Sequence, residues 1–469
     1  MEVQNQFVEF IETAMATFAN TVWGTPLLVL ILGGGLFFTI YSRFVPFRFI
    51  RHAIDIVRGK YDEKDDPGQI NHFQALSSAL ASTVGMGNIS GVAIAISMGG
   101  PGAVFWMWIS AIVGSATKFF TCSLAIMYRG KDDLGETQGG PMYVIHEGMR
   151  KPFRFLAVFF SVAGLFGCLA LFQVNQLTQI VRDEIFLPNG IFTTNVIFGN
   201  FVFGTIVALL VASVIFGGIR RIGYVASKMV PAMVGLYLFA GILVIFQHFW
   251  EIPSIFWLII KDAFTGDAVM GGAVGTVIVT GVRRAAFSNE AGIGTEAMAH
   301  GAAKTSEPIR EGLVAMLGPF IDTIVVCTIT ALVILSTGVW QNSEANGVTL
   351  TSQAFSQALP GVGSIILIVS VIVFSISTMI GYSYYGAKCT SYLFGTKWKK
   401  YYRIFYTITL IIGAVISIDA VINFLDGMFA LMAIPTIVSS VILAPKVMQA
   451  SKDYFGRLNA ENKQDSRYA

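Results

Sequence analysis

Gly85-Met86-Gly87-Asn88 interrupts an apolar run that extends from Phe73 to Met98. Two glycines and an asparagine weaken a helix by up to about 1 kcal/mol each relative to alanine. Inside a bilayer, the backbone groups freed by such a break need partners within the protein or in a water-filled cavity. The chemistry open to the break is binding. Free N–H groups at the start of one half-helix suit a carboxylate, and free C=O groups at the end of the other suit a cation or an ammonium. A small zwitterion together with a cation satisfies both. The same glycines would also serve as a notch for a close helix crossing, so the rest of the chain has to decide.

A second interruption lies at VTGVRRAAFSNEAGIGTEAMAHG, residues 279–301. An apolar segment enters at Gly271, meets Gly281 and a pair of arginines, and reaches Ser288-Asn289-Glu290 with glycines on either side. Hydroxyls come next, in VFSISTMIGYSYYG: Ser375, Ser377 and Thr378. A hard cation such as Na+ takes several oxygens, and hydroxyls supply them without fixed charge, although a serine in a membrane helix also bonds the carbonyl one turn back. LALFQVNQLTQ carries Gln173, Asn175 and Gln176, amides that at mid-membrane are pocket groups or interhelical glue. Asp322, in LGPFIDTIVVCT, is an intramembrane acid and so a functional residue by default. It would ligate a cation, carry a proton, or cap a helix after Pro319. Lys118 reads as snorkelling, and Asp419 and Asp426 as solvated at the last outer turn.

Catalysis has no comparable basis in this chain. The five histidines (His52, His72, His146, His248, His300) read as lying in loops or at interfaces, and the four cysteines fall singly in apolar segments. There is no metal-ligand spacing, no phosphate-binding glycine loop after a strand, and no nucleotide-binding domain. The class is a transporter driven by an ion gradient, not an enzyme.

The elements that would position these residues are membrane helices. The chain has 469 residues, 54% hydrophobic and 13% charged, where soluble domains carry about 25% charged residues. Its mean hydropathy is +0.68. Runs of roughly 20 apolar residues place eleven spans near 23–42, 73–98, 102–128, 155–181, 195–217, 223–249, 268–289, 310–337, 361–387, 403–418 and 424–445. The stretches after spans 1, 3, 5, 7, 9 and 11 hold 28 of the 31 Lys and Arg, which by the positive-inside rule makes them cytoplasmic. The N-terminus is then outside and the C-terminus inside. The first twenty residues carry three Glu and no Lys or Arg, which excludes a cleavable signal peptide.

Spans 2 and 7 are both broken and lie five spans apart, the pattern of an inverted repeat with its binding site at the breaks. The expected division is an extra N-terminal helix and cytoplasmic linker (1–72), a first five-helix repeat (73–250), an outer interfacial helix (251–267), a second five-helix repeat (268–445) and a cytoplasmic tail (446–469). The stretch 338–360 reads as a polar outer loop, and 451–469 as disordered.

Several of these stretches resemble one family. GGPGAVFWMWISAIVG (Gly99 to Gly114), STVGMGNISGVA (Ser82 to Ala93), TQGGPMYVI (Thr137 to Ile145), FSNEAGIGT (Phe287 to Thr295), PFIDTIVVCTITALVI (Pro319 to Ile334) and FSISTMIGYSYYG (Phe374 to Gly386) are similar to motifs of the alanine/glycine:cation symporters. These belong to the amino acid–polyamine–organocation superfamily, and the resemblance spans the whole chain. It implies a leucine-transporter-like five-plus-five inverted repeat preceded by one extra helix. It implies a monomer in the cytoplasmic membrane that imports small neutral amino acids, alanine and glycine first, with Na+.

By the same resemblance, Gly85, Gly87 and Asn88 belong to the unwound substrate-binding segment, whose N–H groups hold the carboxylate. Gln173 lines the pocket, Ile278 and Gly281 sit at the second break, and Thr378 and Tyr382 face the pocket from span 9. The carbonyls of Ala81, Val84 and Phe374 and the hydroxyls of Ser377 and Thr378 form a sodium site. Two positions depart from the pattern: Tyr382 stands where the family would have Trp, and Thr121 where it would have Glu. Proton coupling through Asp322, a preference for glutamine, and a passive channel are the competing readings.

Overall fold

The computed structural model describes residues 2–63, 65–264 and 274–468. Seven helical stretches are long and apolar enough to cross a membrane, and two bent helix pairs bring the number to nine. Two of the remaining expected spans are shorter elements, Val274–Asn289 with 16 residues and Lys399–Val415 with 17. The start of the seventh expected span, with Gly271 and the 267/268 boundary, falls outside the described residues, as does Lys64. Several apolar helices of crossing length in one chain make this a multi-pass membrane protein.

The N-terminal region, expected as one helix, forms two. α1 (Glu2–Val22) and α2 (Thr25–Tyr41) are bent by 48° at Gly24. Pro26 in the first turn of α2 explains the break, because proline starts a helix readily but cannot continue one. α3 (His72–Thr83) starts at a capping box in which the Asn71 side chain accepts from the Gln74 amide at 2.8 Å and the Gln74 side chain accepts from the Asn71 amide at 3.2 Å. A π-helical turn (Gly87–Gly91) leads to α4 (Val92–Gly99), and the pair is bent by 52°.

The chain continues through α5 (Gly102–Met127), α6 (Phe155–Gly167), α7 (Leu171–Val181), α8 (Val196–Ile215), α9 (Gly218–Gln247) and α10 (Ile252–Phe264). Then come α11 (Val274–Asn289), α12 (Glu296–His300), α13 (Pro308–Ala315), a π-helical segment (Phe320–Cys327) and α14 (Thr328–Thr337). α15 (Val348–Ala358), α16 (Gly363–Phe394), α17 (Lys399–Val415) and α18 (Ile418–Tyr468) complete it. A short hairpin, β1 (Gly130–Lys131) antiparallel to β2 (Thr137–Gln138), follows α5. α3 packs on α9 and α16; α5 packs on α2, α10, α11 and α13; α18 packs on α1 and α6.

Several expectations are corrected by this packing. The stretch 338–360 is not all loop, because its polar residues build α15 and find partners. Ser352 donates to Glu184 at 2.6 Å, Thr349 donates to Asp183 at 2.9 Å, and the Val348 amide donates to Gln176 Oε1 at 3.0 Å. The tail expected to be disordered continues α18 as far as Tyr468. Asp426 is buried and paired with Arg284, so it is not solvated, whereas Asp419 is exposed. Arg283 and Arg284 both lie inside α11. Lys118 is 1% exposed and does not snorkel.

Candidate functional site

The first break is built by backbone and one amide. At Val84 the chain leaves the helix (φ −72°, ψ 96°) after a last bond from its amide to the Leu80 carbonyl at 2.7 Å. The next amide, on Gly85, donates to Asn88 Oδ1 at 2.8 Å. Asn88 Nδ2 in turn donates to Asp322 Oδ1 at 2.7 Å and to the Asp322 carbonyl at 3.0 Å. A side chain of the broken segment thus closes the break on one side and reaches another helix on the other.

The second break lies inside the expected stretch 279–301, but not at Ile278 and Gly281. α11 runs unbroken through Ile278 and Gly281, and the interruption falls at Glu290–Thr295. Glu290 (φ 57°), Gly292 (φ 86°) and Gly294 (φ 96°) turn the chain there through the left-handed region. Gly281 is instead a packing notch, where a Cβ would meet the Ala103 carbonyl at 2.5 Å and Trp106 Cβ at 2.7 Å. Ser288, at the end of α11, donates to Asp322 Oδ2 at 2.8 Å, and Thr323 donates to the same oxygen at 2.8 Å. Asn289 Nδ2 reaches Thr323 Oγ1 at 2.9 Å.

Asp322 therefore joins the two breaks. Its carboxylate accepts from Asn88 in one and Ser288 in the other, and Asn88, Ser288, Asn289, Glu290, Asp322 and Thr323 are all 0% exposed. Among the described residues no cation pairs with the carboxylate; neutral donors hold it, each such bond strengthened by the charge it meets in an apolar surround. Asn88 and Asp322 both sit on π-helical segments, which occur often where a helix serves a function.

The third wall is α16. Gly85 lies so close to Thr378 that a Cβ there would overlap Thr378 Oγ1, with the Phe374 carbonyl at 3.7 Å. Ser377 and Thr378 both donate to the Phe374 carbonyl, at 2.8 Å and 3.0 Å. The structure thus brings Gly85, Phe374 and Thr378 together, with Ser377 alongside and Ala81 and Val84 at the end of α3. Gly87 fits against Ser288, whose Cα would lie 3.0 Å from a Cβ there. Tyr382, one turn beyond Thr378, is buried. Thr295 donates to Glu290 Oε2 at 2.5 Å, while Glu290 Oε1 has no hydrogen-bond partner.

The amides of α7 divide. Asn175 donates to the carbonyls of Gly413 and Ile416, at 3.1 Å and 2.7 Å, and Gln176 holds α15, so both are glue. Gln173 is 2% exposed and its Oε1 has no partner. Its chain neighbour Phe172, rather than Gln173 itself, packs toward the first break: the Phe172 ring lies 4.9 Å from Phe287, and Phe287 Cδ1 would sit 3.4 Å from a Cβ on Gly87.

Sequence reasoning missed another buried carboxylate, Glu311. Glu311, 0% exposed on α13, accepts from His72 Nδ1 and His300 Nδ1, the latter at 2.5 Å. Both imidazoles are 1% exposed, so they are not in loops or at an interface. Nearby, Arg129 donates to the carbonyls of Pro67, Gly301, Ala303 and Thr305. The backbones of Gln69–Ile70 and Ala302–Lys304 also bond directly, with Gln69 N to Ala302 O at 2.8 Å and Lys304 N to Ile70 O at 2.6 Å. Thr121, the departure from the family pattern, donates to Glu296 at 3.1 Å.

Comparison with known proteins agrees with this geometry. The sequence model of the sodium:alanine symporter family matches residues 8–468. The chain is 39% identical over 444 residues to the sodium/alanine symporter AgcS of Methanococcus maripaludis, covering 93% of this chain and 96% of that one. It is 34% identical over 438 residues to the probable sodium/glutamine symporter GlnT of Bacillus subtilis, covering 93% and 89%. A crystal structure of MhsT in complex with L-phenylalanine superposes with a TM-score of 0.56 at 13% identity, over 82% of this chain and 98% of that one, a likeness of fold alone. With two helix breaks joined by one carboxylate and a family match over nearly its whole length, the chain belongs to the sodium:alanine symporter family, transporters of amino acids and not enzymes.

Proposed function

We propose that the chain imports a small neutral amino acid, alanine or glycine first, together with Na+ by alternating access. The observation that carries this reading is the Asn88 bridge, which fixes Gly85 and Asp322 at once while Gly85 lies against Thr378. The substrate carboxylate would meet the amides around Gly85 and Gly87, with Gln173, Thr378 and Tyr382 completing the pocket. Ile278 and Gly281 drop out, because the helix is unbroken there. Na+ would take the carbonyls of Ala81, Val84 and Phe374 and the hydroxyls of Ser377 and Thr378. Both hydroxyls now point their hydrogens at the Phe374 carbonyl. They would turn those hydrogens aside to offer lone pairs and free the carbonyl for the ion.

In this reading eleven spans form two inverted five-helix repeats after one extra helix. The N-terminus is outside the cytoplasmic membrane, the C-terminus is inside, and the unit is a monomer. One charge moving through ~100 mV contributes ~2.3 kcal/mol, enough for roughly fifty-fold accumulation. Alanine stands first because the archaeal relative is described as a sodium/alanine symporter, and glutamine second because the Bacillus relative is described as a probable sodium/glutamine one. Asp322 as a proton carrier is the weaker reading, because both its carboxylate oxygens already accept hydrogen bonds from neutral groups.

The test is uptake of labelled alanine into proteoliposomes under an inward Na+ gradient, against an equal K+ gradient. Accumulation with Na+ alone is the expected result. Accumulation with either ion under an acid-outside gradient would move the coupling to protons and Asp322. Equilibration without accumulation would make the protein a passive channel.

A further inference from the structure

We propose that the groove between the end of α2 and α18 binds the phosphate headgroup of an anionic phospholipid. The groove has a volume of about 790 Å³ and is lined by Arg43, Arg48 and Lys452, with Gln449, Ser451 and Asn459 among its polar groups and no acidic residue. Charge is therefore present there without a counter-charge. Among the described residues, the nine ion pairs involve other groups, and Arg48 lies over the Phe49 ring at 5.6 Å. A phosphodiester supplies the missing charge, and guanidinium groups with neighbouring amides and a hydroxyl are the donors it accepts from.

The surroundings select a lipid over a soluble anion. α2 is apolar throughout, and it ends at the groove with Ile40 58% exposed and Phe44 52% exposed. Acyl chains have an apolar surface to lie on directly beside the cations, the arrangement of basic headgroup pockets at membrane surfaces. The backbone is also unusual at this point. Arg43 (φ 55°) and Phe44 (φ 62°) are consecutive non-glycine residues in the left-handed region, held by bonds from their amides to the carbonyls of Ile40 and Thr39, at 2.9 Å and 3.0 Å. Strained residues of this kind persist where the surroundings fix them and cluster at ligand clamps. Here the strained turn places a cation on the groove wall and an aromatic ring on the apolar surface.

The test uses the full chain purified in a neutral detergent, titrated with dioleoylphosphatidylglycerol, dioleoylphosphatidylcholine or glycerol 3-phosphate. Binding is followed by thermal shift and by native mass spectrometry. The phosphatidylglycerol lipid should bind and raise Tm, and the other two should not. The variant R43Q/R48Q/K452Q should lose about a hundred-fold in affinity for that lipid, at roughly five-fold per cation, with its Tm in phosphatidylcholine unchanged. K446Q, an exposed lysine of α18 outside the groove, should bind as the parent does. If the triple variant does not fold, K452Q alone should lose about five-fold. Unchanged binding in the triple variant, or in K452Q when only that variant folds, would overturn the proposal, as would equal loss in K446Q. So would glycerol 3-phosphate binding as tightly as the lipid, which would make the groove a site for soluble anions.

Discussion

Asp322 and Glu311 perform one structural task with two chemistries. Each is a fully buried carboxylate, and each joins the same two broken helices. Asp322 takes Asn88 from the first break and Ser288 from the end of α11. Glu311 takes His72, the first residue of α3, and His300, the last residue of α12. Eleven residues separate them, roughly 16 Å along a helix. The segment from α13 to α14 therefore staples both broken spans at mid-depth and again at one end. The middle staple uses neutral donors that hold no exchangeable charge near neutral pH. The end staple uses imidazoles, the side chains that exchange protons most readily near neutral pH, and in the proposed alternating-access cycle it would be the contact that opens and closes.

The largest effect should come from removing the middle staple. Asp322→Ala removes the carboxylate acceptor of the Ser288 and Thr323 hydroxyls and of Asn88 Nδ2, which keeps its bond to the backbone carbonyl at that position; each buried donor left unsatisfied costs about 1–3 kcal/mol. Uptake should fall below about 1% of the parent, with a lowered Tm. Asp322→Asn keeps the shape but must turn its own N–H groups toward some of these donors, and it should fold better while still failing to transport. Normal uptake by the asparagine variant, measured in proteoliposomes at matched protein, would show that the charge is not needed and that the two staples do not differ in kind.

Thr378→Ala tests whether the middle staple is joined to an ion site. The hydroxyl lies against Gly85 and donates to the Phe374 carbonyl at 3.0 Å. Losing one ligand of a hard cation should raise the Na+ concentration for half-maximal uptake by about ten-fold, ~1.4 kcal/mol, with the maximal rate little changed. An unchanged Na+ dependence would remove the hydroxyl from the ion site and leave it a packing contact. Asn175→Ala is the useful contrast: it should lower Tm without moving Na+ dependence, because Asn175 donates to backbone carbonyls of α17 and the turn after it and accepts from the neighbouring Gln176.

The two staples differed as much in legibility as in chemistry. Gly85, Gly87 and Asn88 stand out because three weak helix formers fall within four residues of an apolar run. Asp322 stands out because a mid-membrane acid is costly. Their pairing did not stand out: Asn88 and Asp322 lie 234 positions apart, and no local pattern links them. Glu311, His72 and His300 sit at helix ends, where polar residues are ordinarily solvated, so composition assigned the histidines to loops and left the glutamate unremarked. The stretch 279–301 contained the second break, but the resemblance put Ile278 and Gly281 at it. Gly281 is a place where α5 comes close, and only backbone conformation distinguishes it from Gly292 and Gly294, which turn the chain. α15 was lost for a related reason: its Thr and Ser look like loop residues until Asp183, Glu184 and Gln176 are seen to receive them. The family resemblance reached the break and the α16 hydroxyls through continuous motifs, and such motifs say nothing of pairings across the fold.

The smallest expected effect tests the end staple. In Glu311→Gln the amide oxygen still accepts from one imidazole N–H, and the amide N–H can donate to a neutral nitrogen of the other. Both contacts survive, and only the added strength of a charged acceptor is lost, about 1 kcal/mol. That free energy shifts the population opened at this end by about five-fold. Hydrogen–deuterium exchange should therefore speed up about five-fold in the amides from Ala75 to Leu80, while those from Gly85 to Gly91 keep the parental rate. The apparent affinity for alanine should stay within a factor of about three, and the turnover rate should change. If the amides around Gly85 speed up in parallel, the two carboxylates are one cooperative unit and the division of labour between them is wrong. If neither region responds, the imidazole contacts are static packing, and opening at this end must be controlled by the Arg129 bonds to the Gly301–Thr305 backbone instead.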